Sequence, residues 1–146
     1  MKTPALALLA LLLAAACGPV PGGSLKGTVA PIPAEWTAAL GGDRAFCEIE
    51  SRPADPHSIQ LECFLHEGKL YAQSHRWALA SWWPVTSWAA IWIQHPELKV
   101  RIGEQIYELR AVYVTDPAER EPILVLRGYQ PVPEGIALFR FEPRSA

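Results

Sequence analysis

At 146 residues, half of them hydrophobic, the chain has length for one domain with a real core once any targeting segment is removed. Thirteen basic against fifteen acidic residues leave a formal net charge of -2, and with no basic run or aromatic-basic interleaving this argues against nucleic acid as a partner. The fourteen prolines and ten glycines are scattered, so there is no repeat and no low-complexity tract.

The N-terminus reads as a targeting signal over residues 1–16: Lys2 supplies a minimal positive start and residues 5–16 form a continuous apolar run. Twelve apolar residues are too few to span a bilayer comfortably. Leu13-Ala14-Ala15-Ala16-Cys17-Gly18 resembles the bacterial lipobox, which implies cleavage before Cys17 and a diacylglycerol on its thiol. The expected product is a lipoprotein tethered to a bacterial membrane on its periplasmic or cell-surface side. Ordinary secretion with cleavage elsewhere is the alternative. Residues 17–30, rich in Gly and Pro, read as a flexible tether, and residues 31–146 as the folded domain.

Residues 33–40 form the first predicted helix, with Pro33 in its first turn, Gly41 past its end, and Trp36 and Leu40 four apart on an inward face. Residues 45–51 and 58–66 read as strands, joined through Pro53, Asp55 and Pro56. A connection centred on Asp55 sets Cys47 opposite Cys63 and predicts a disulfide between them, since export favours oxidation. The same register opposes Glu48 to Glu62, an unfavourable pair. Two reduced, buried thiols acting as small hydrophobes are the alternative. Glu67-Gly68 then turns the chain into a strand over residues 69–75, with Leu70, Ala72 and Ser74 on the apolar face.

Five of the six tryptophans follow, at Trp77, Trp82, Trp83, Trp88 and Trp92. Trp88, Ile91, Trp92 and His95 share one face of a short helix that Pro96 stops, and Ala89, Ala90 and Ile93 leave its other side apolar too. Such a helix needs cover on two sides: its own sheet gives one, and a partner subunit is a candidate for the other. Next, Gly103-Glu104 joins two alternating strands in a register that opposes Lys99 to Glu108 and Glu97 to Arg110. Asp116-Pro117-Ala118-Glu119 starts a last helix, with Asp116 capping and Glu119 reaching back, and Gly128 ends it. A final strand covers residues 136–141. Strand-rich order with short hairpins predicts a mainly β (α+β) fold, a small barrel of about six antiparallel strands with short flanking helices.

Several runs carry a family resemblance. They are Ala45-Phe46-Cys47-Glu48, Gln94-His95-Pro96-Glu97-Leu98, Val100-Arg101-Ile102-Gly103 with Tyr107, Asp116-Pro117-Ala118-Glu119-Arg120 and Leu138-Phe139-Arg140-Phe141-Glu142-Pro143. Together they resemble the flavin/deazaflavin split β-barrel group, nearest the nitroreductase-type deazaflavin-dependent oxidoreductases. The resemblance implies a split β-barrel, a homodimer, deazaflavin or FMN as cofactor and hydride transfer to a small nitro- or quinone-like substrate. The family's Gly-Arg-x-Ser-Gly phosphate turn is here Ser51-Arg52-Pro53-Ala54-Asp55, in which only Arg52 matches. Ser74 and Trp88 match by position, whereas the family's glycine-rich loop is replaced by residues 77–84.

For a flavin-like ligand, Arg52, Ser74, His75 and Arg76 would serve the phosphate end and Trp82, Trp83 and Trp88 would wall the ring. Solvated arginines and tryptophans in the core or a dimer contact are the plainer reading. His57, His66, His75 and His95 show no metal-ligand spacing, although a single axial histidine, His75 or His95, would suffice for haem. No nucleophile-elbow motif supports Ser-His-Asp chemistry. Two functions stand open: a tethered flavin or deazaflavin oxidoreductase, and a non-catalytic lipoprotein whose tryptophan-rich groove binds an apolar ligand, haem or a partner protein.

Overall fold

A computed structural model describes residues 22–82 and 86–145. The signal segment, Cys17 and Trp83 lie outside the described residues. In chain order the elements are β1 (Thr28–Val29), α1 (Trp36–Leu40), β2 (Arg44–Ser51), β3 (His57–His66), β4 (Lys69–Gln73), α2 (Trp88–Gln94), β5 (Glu97–Ile102), β6 (Gln105–Tyr113), α3 (Pro117–Leu126) and β7 (Leu138–Pro143). The strands run β6-β5-β2-β3-β4-β7 and the β6–β7 pairing closes the ring, giving an antiparallel six-stranded barrel with β1 added outside it.

The two tight hairpins have the registers their turns demand. Gly103 is left-handed (φ 60°), and Lys99 lies opposite Glu108, Glu97 opposite Arg110. The charges, however, look elsewhere. Lys99 Nζ is 3.3 Å from the buried carboxylate of Glu50 on β2, and Glu108 is 3.6 Å from Arg144. An exposed cross-strand pair is worth little, so a buried carboxylate wins the lysine. At the β3–β4 turn both Glu67 (φ 48°) and Gly68 (φ 73°) are left-handed, and Cys63 faces Ala72 as expected.

The first hairpin is displaced. Arg52 adopts φ 57° and its carbonyl accepts from Asp55 N at 3.0 Å, which centres the connection on Ala54 instead of Asp55. Cys47 therefore lies opposite Leu61, and Cys63 opposite Ala45. The two cysteines are diagonal neighbours, and both are free, buried thiols. Burial first, then the adjoining Cys47 thiol, pushes the Cys63 thiol well above its usual range. A displacement of two residues preserves strand parity, so the apolar face is unchanged. It also separates the like charges: Glu48 faces Gln60 and pairs with Arg101, while Glu62 faces Phe46 and pairs with Arg127.

The barrel interior is filled by Ile49, Leu70, Val100, Leu109 and Phe139, all fully buried. Because α1 leads into β2 and α2 into its antiparallel neighbour β5, the two helices sit at opposite ends. α1 is shorter than expected, starting at Trp36, and Gly41 (φ 71°) stops it. Trp36 and Leu40 plug that end, with Trp36 edge-on to Tyr107 at 5.1 Å. At the other end Ser87 Oγ accepts from Ala90 N to cap α2, which drives Trp92 onto Phe139 (5.3 Å) and Phe141 (5.9 Å). Trp88 and Ile91 are half-buried against the same core, whereas Ile93 faces out and His95, past the helix end, leaves the shared face.

α3 lies outside the barrel, packing Ile123 and Leu124 over Phe64, Tyr71 and Leu138 in a second core. The face of β4 carrying Tyr71 is therefore buried as well. Asp116 caps α3 as predicted, its Oδ1 accepting from Ala118 N. Glu119 does not reach back to complete a capping box. Instead its carboxylate accepts from Tyr71 Oη at 2.9 Å and from Arg140. Burial and then Glu119 push the Tyr71 hydroxyl up to about 12, while the Arg140 guanidinium holds Glu119 below the usual carboxylate range.

Part of the expected tether is also structured. Leu25 N donates to Glu50 Oε2 at 2.6 Å, Arg101 donates to Lys26 O at 2.7 Å, and β1 runs parallel to the start of β6. Gly27 permits this, because a Cβ there would lie 2.7 Å from Glu104 O. The barrel domain thus begins before residue 31, and Gly here serves close approach rather than flexibility.

Candidate functional site

Beyond β4 the chain enters two successive turns, closed by Ala78 N to His75 O (3.3 Å) and Ala80 N to Trp77 O (3.0 Å). Ala78 points inward, which puts Arg76, Trp77, Ser81 and Trp82 on the surface. A second wall comes from residues 129–135, between α3 and β7. Leu79 N donates to Gly135 O at 2.9 Å, and an added Cβ on Gly135 would fall 2.9 Å from Arg76 O. Only a residue without a side chain lets the two loops meet so closely. Arg120 fastens the second wall to α3 by donating to the carbonyls of Pro133 (3.0 Å) and Ile136 (2.8 Å).

Between these loops lie two adjoining open depressions. The larger, about 530 Å³, is lined by Arg76, Trp77, Leu79, Trp82, Glu134 and Gly135 among others. The smaller, about 390 Å³, is bounded by His75, Arg76, Trp77 and Tyr129. Both volumes fall in the range of small-molecule sites. Arg76 and Trp77 form the ridge common to both. Trp77 is 45% and Trp82 64% exposed, far too much for core residues, and their rings stand 5.9 Å apart. His75 packs edge-on to Trp77, its Nδ1 accepting from Trp77 N at 3.3 Å. The Arg76 side chain makes no ion pair or hydrogen bond among the described residues.

Of the residues expected to hold a cofactor, His75 and Arg76 reach this groove and the other three do not. Ser74 is 2% exposed and serves the backbone: its hydroxyl accepts from Ala137 N at 2.8 Å and donates to His75 O at 2.9 Å. Arg52 sits at the β2–β3 tip, 3.8 Å from Asp55, with its Nε buried and unpartnered. Since Cys63 faces Ala72, the level of Ser74 corresponds to Leu61, and Arg52 lies beyond His57. The four residues from Leu61 to His57 span roughly 13 Å of strand, which keeps Arg52 away from Ser74. Trp88 packs inward, its ring tilted against that of Trp92 at 4.4 Å.

Tyr129, Glu134 and Gly135 were not found by sequence reasoning, for they sit more than fifty residues from Arg76 and carry no local motif. No group of three or more potential metal-ligating side chains occurs among the described residues.

The role of Ser74 can be measured. Ser74→Ala is expected to cost about 1–3 kcal/mol, because it strands the buried Ala137 N–H. Urea unfolding followed by far-ultraviolet circular dichroism checks this; a serine whose hydroxyl awaited a phosphate would be lost with no change in midpoint. No protein-family model matches the chain, and no curated protein matches it in sequence.

Proposed function

We propose that this chain is an exported, lipid-anchored binding protein without catalytic chemistry of its own, whose groove between residues 75–82 and 129–135 takes a small amphipathic molecule. The observation that carries the reading is the shared ridge of Arg76 and Trp77 between the two depressions. Trp77 and Trp82 offer apolar, polarisable faces, and Arg76 offers a cation for an anionic group beside them. The scatter of Arg52, Ser74 and Trp88 weighs against the flavin or deazaflavin reading, which needs a phosphate cradle and a ring slot together. The anchor rests on the lipobox-like run ending at Cys17.

An anionic aromatic probe, 8-anilinonaphthalene-1-sulfonate, tests the groove. Titration is expected to give a saturable fluorescence rise, with affinity falling tenfold or more in Trp77→Ala. A rise indifferent to that substitution, or no rise, sinks the proposal. Flavin or deazaflavin absorption in protein purified from its own host would restore the oxidoreductase reading in its place.

A further inference from the structure

The polar groups of the groove narrow the class of ligand. A cation and an anion, Arg76 and Glu134, line one depression together with two exposed indole rings. A purely anionic ligand would satisfy Arg76 and leave Glu134 without a partner, and a purely cationic one the reverse. A molecule that carries a phosphate and an ammonium a few atoms apart meets both. Indole faces attract ammonium groups, and tryptophan is the side chain that settles at the membrane-water boundary, its body apolar and its N–H wet.

The path of the chain indicates where such a molecule would come from. Residues 22–26 lie against Glu48, Ser58 and Arg101, and Leu25 N is bonded to Glu50. Glu50 is the penultimate residue of β2 and Ser58 the second of β3. Residues 22–25 therefore lie on the half of the barrel where β2 stops, before β1 joins the start of β6 toward the other end, and the end where β2 stops is also the one where β4 gives way to residues 75–82. Gly22 is five positions from Cys17. Fully extended, those positions reach about 18 Å at most. A lipid on Cys17 would hold this end of the barrel close to the bilayer.

We infer that the ligand of the groove is a zwitterionic phospholipid of the membrane that anchors the protein, with Arg76 on the headgroup phosphate, Glu134 and the indole faces on its amine, and Trp77 and Trp82 in the interfacial layer. This inference rests on the binding reading above and on lipidation at Cys17. The barrel then stands with its 75–82 end against the bilayer instead of swinging free on a leash.

The lipidated full chain, purified from its own host in detergent, is reconstituted into vesicles of phosphatidylethanolamine and phosphatidylcholine whose acyl chains are brominated near the glycerol. Tryptophan quenching is expected, and it should fall at least threefold in the Trp77→Phe, Trp82→Phe double variant and about twofold in Arg76→Glu. Quenching that is absent, or equal in wild type and double variant, overturns the inference. So does saturation of the groove by soluble glycerophosphoethanolamine without quenching in vesicles, which would assign it to a free headgroup compound. Shielding of Trp77 and Trp82 in native membranes alone, and not in protein-free vesicles, would assign the surface to a protein partner. Probe binding retained without quenching removes only the membrane contact; quenching without probe binding removes the groove reading and leaves the contact.

Discussion

Trp92→Ala is expected to lower stability by about 3–5 kcal/mol, the largest effect of any single truncation in the barrel. Trp92 is 1% exposed and its ring meets Trp88, Phe139 and Phe141, so deletion opens a void at the α2 end that none of these rigid rings can fill by a change of rotamer. In a domain of this size that loss corresponds to a drop in Tm on the order of 10 °C or more. Thermal unfolding followed by near-ultraviolet circular dichroism reads it. A change below about 1 kcal/mol would mean that the cavity collapses and that α2 is no plug.

Leu124→Ala comes second, at about 2–5 kcal/mol, and it joins stability to the groove. Leu124 is fully buried between α3 and the barrel wall, and its carbonyl accepts from Tyr129 N at 3.0 Å. Loosening it loosens the start of the 129–135 wall, so the affinity for the anilinonaphthalene probe should fall about fivefold at temperatures where the variant is still folded. Leu126, two residues on but 74% exposed, is the control. Its replacement by alanine should stay within about 0.5 kcal/mol, as surface changes do. Equal losses at the two positions would show that α3 does not pack as described.

The parts of the fold that could be read from sequence are those fixed by short-range chemistry. Strict alternation and a left-handed glycine or Glu-Gly turn set the β3–β4 and β5–β6 registers, since a slip of one residue would expose an entire apolar face. The β2–β3 connection lacks such a turn residue. Its geometry depends on Arg52 taking a left-handed conformation that side chains rarely adopt, and composition gives no warning of that. The error was two residues, so every face was right while the opposed cysteines were not. Glu119 shows a different limit: a capping-box pattern named a helix start correctly, but tertiary partners on β4 and β7 took the carboxylate.

The groove was legible on one side only. Arg76 and the tryptophans announce themselves by residue type, whereas Tyr129, Glu134 and Gly135 acquire meaning when β7 pairs with β4 and brings the preceding loop alongside. Ser74 was misleading for a related reason. A serine ending a strand looks available, and its actual partner, Ala137 N, is set by that same long-range pairing.

The short strand β1 has one more consequence. Along the flank of β6 that faces away from β5, β7 ends where Pro143 meets Leu109, and β1 takes up the pairing at Gln105 and Ile106. Without it, the first residues of β6 would present unpaired amides and carbonyls to any neighbouring molecule, which is how sheets recruit one another into aggregates. Residues 25–30 therefore act as a seal on that flank of the barrel. Deleting them should leave the barrel folded but prone to pair edge to edge with its copies.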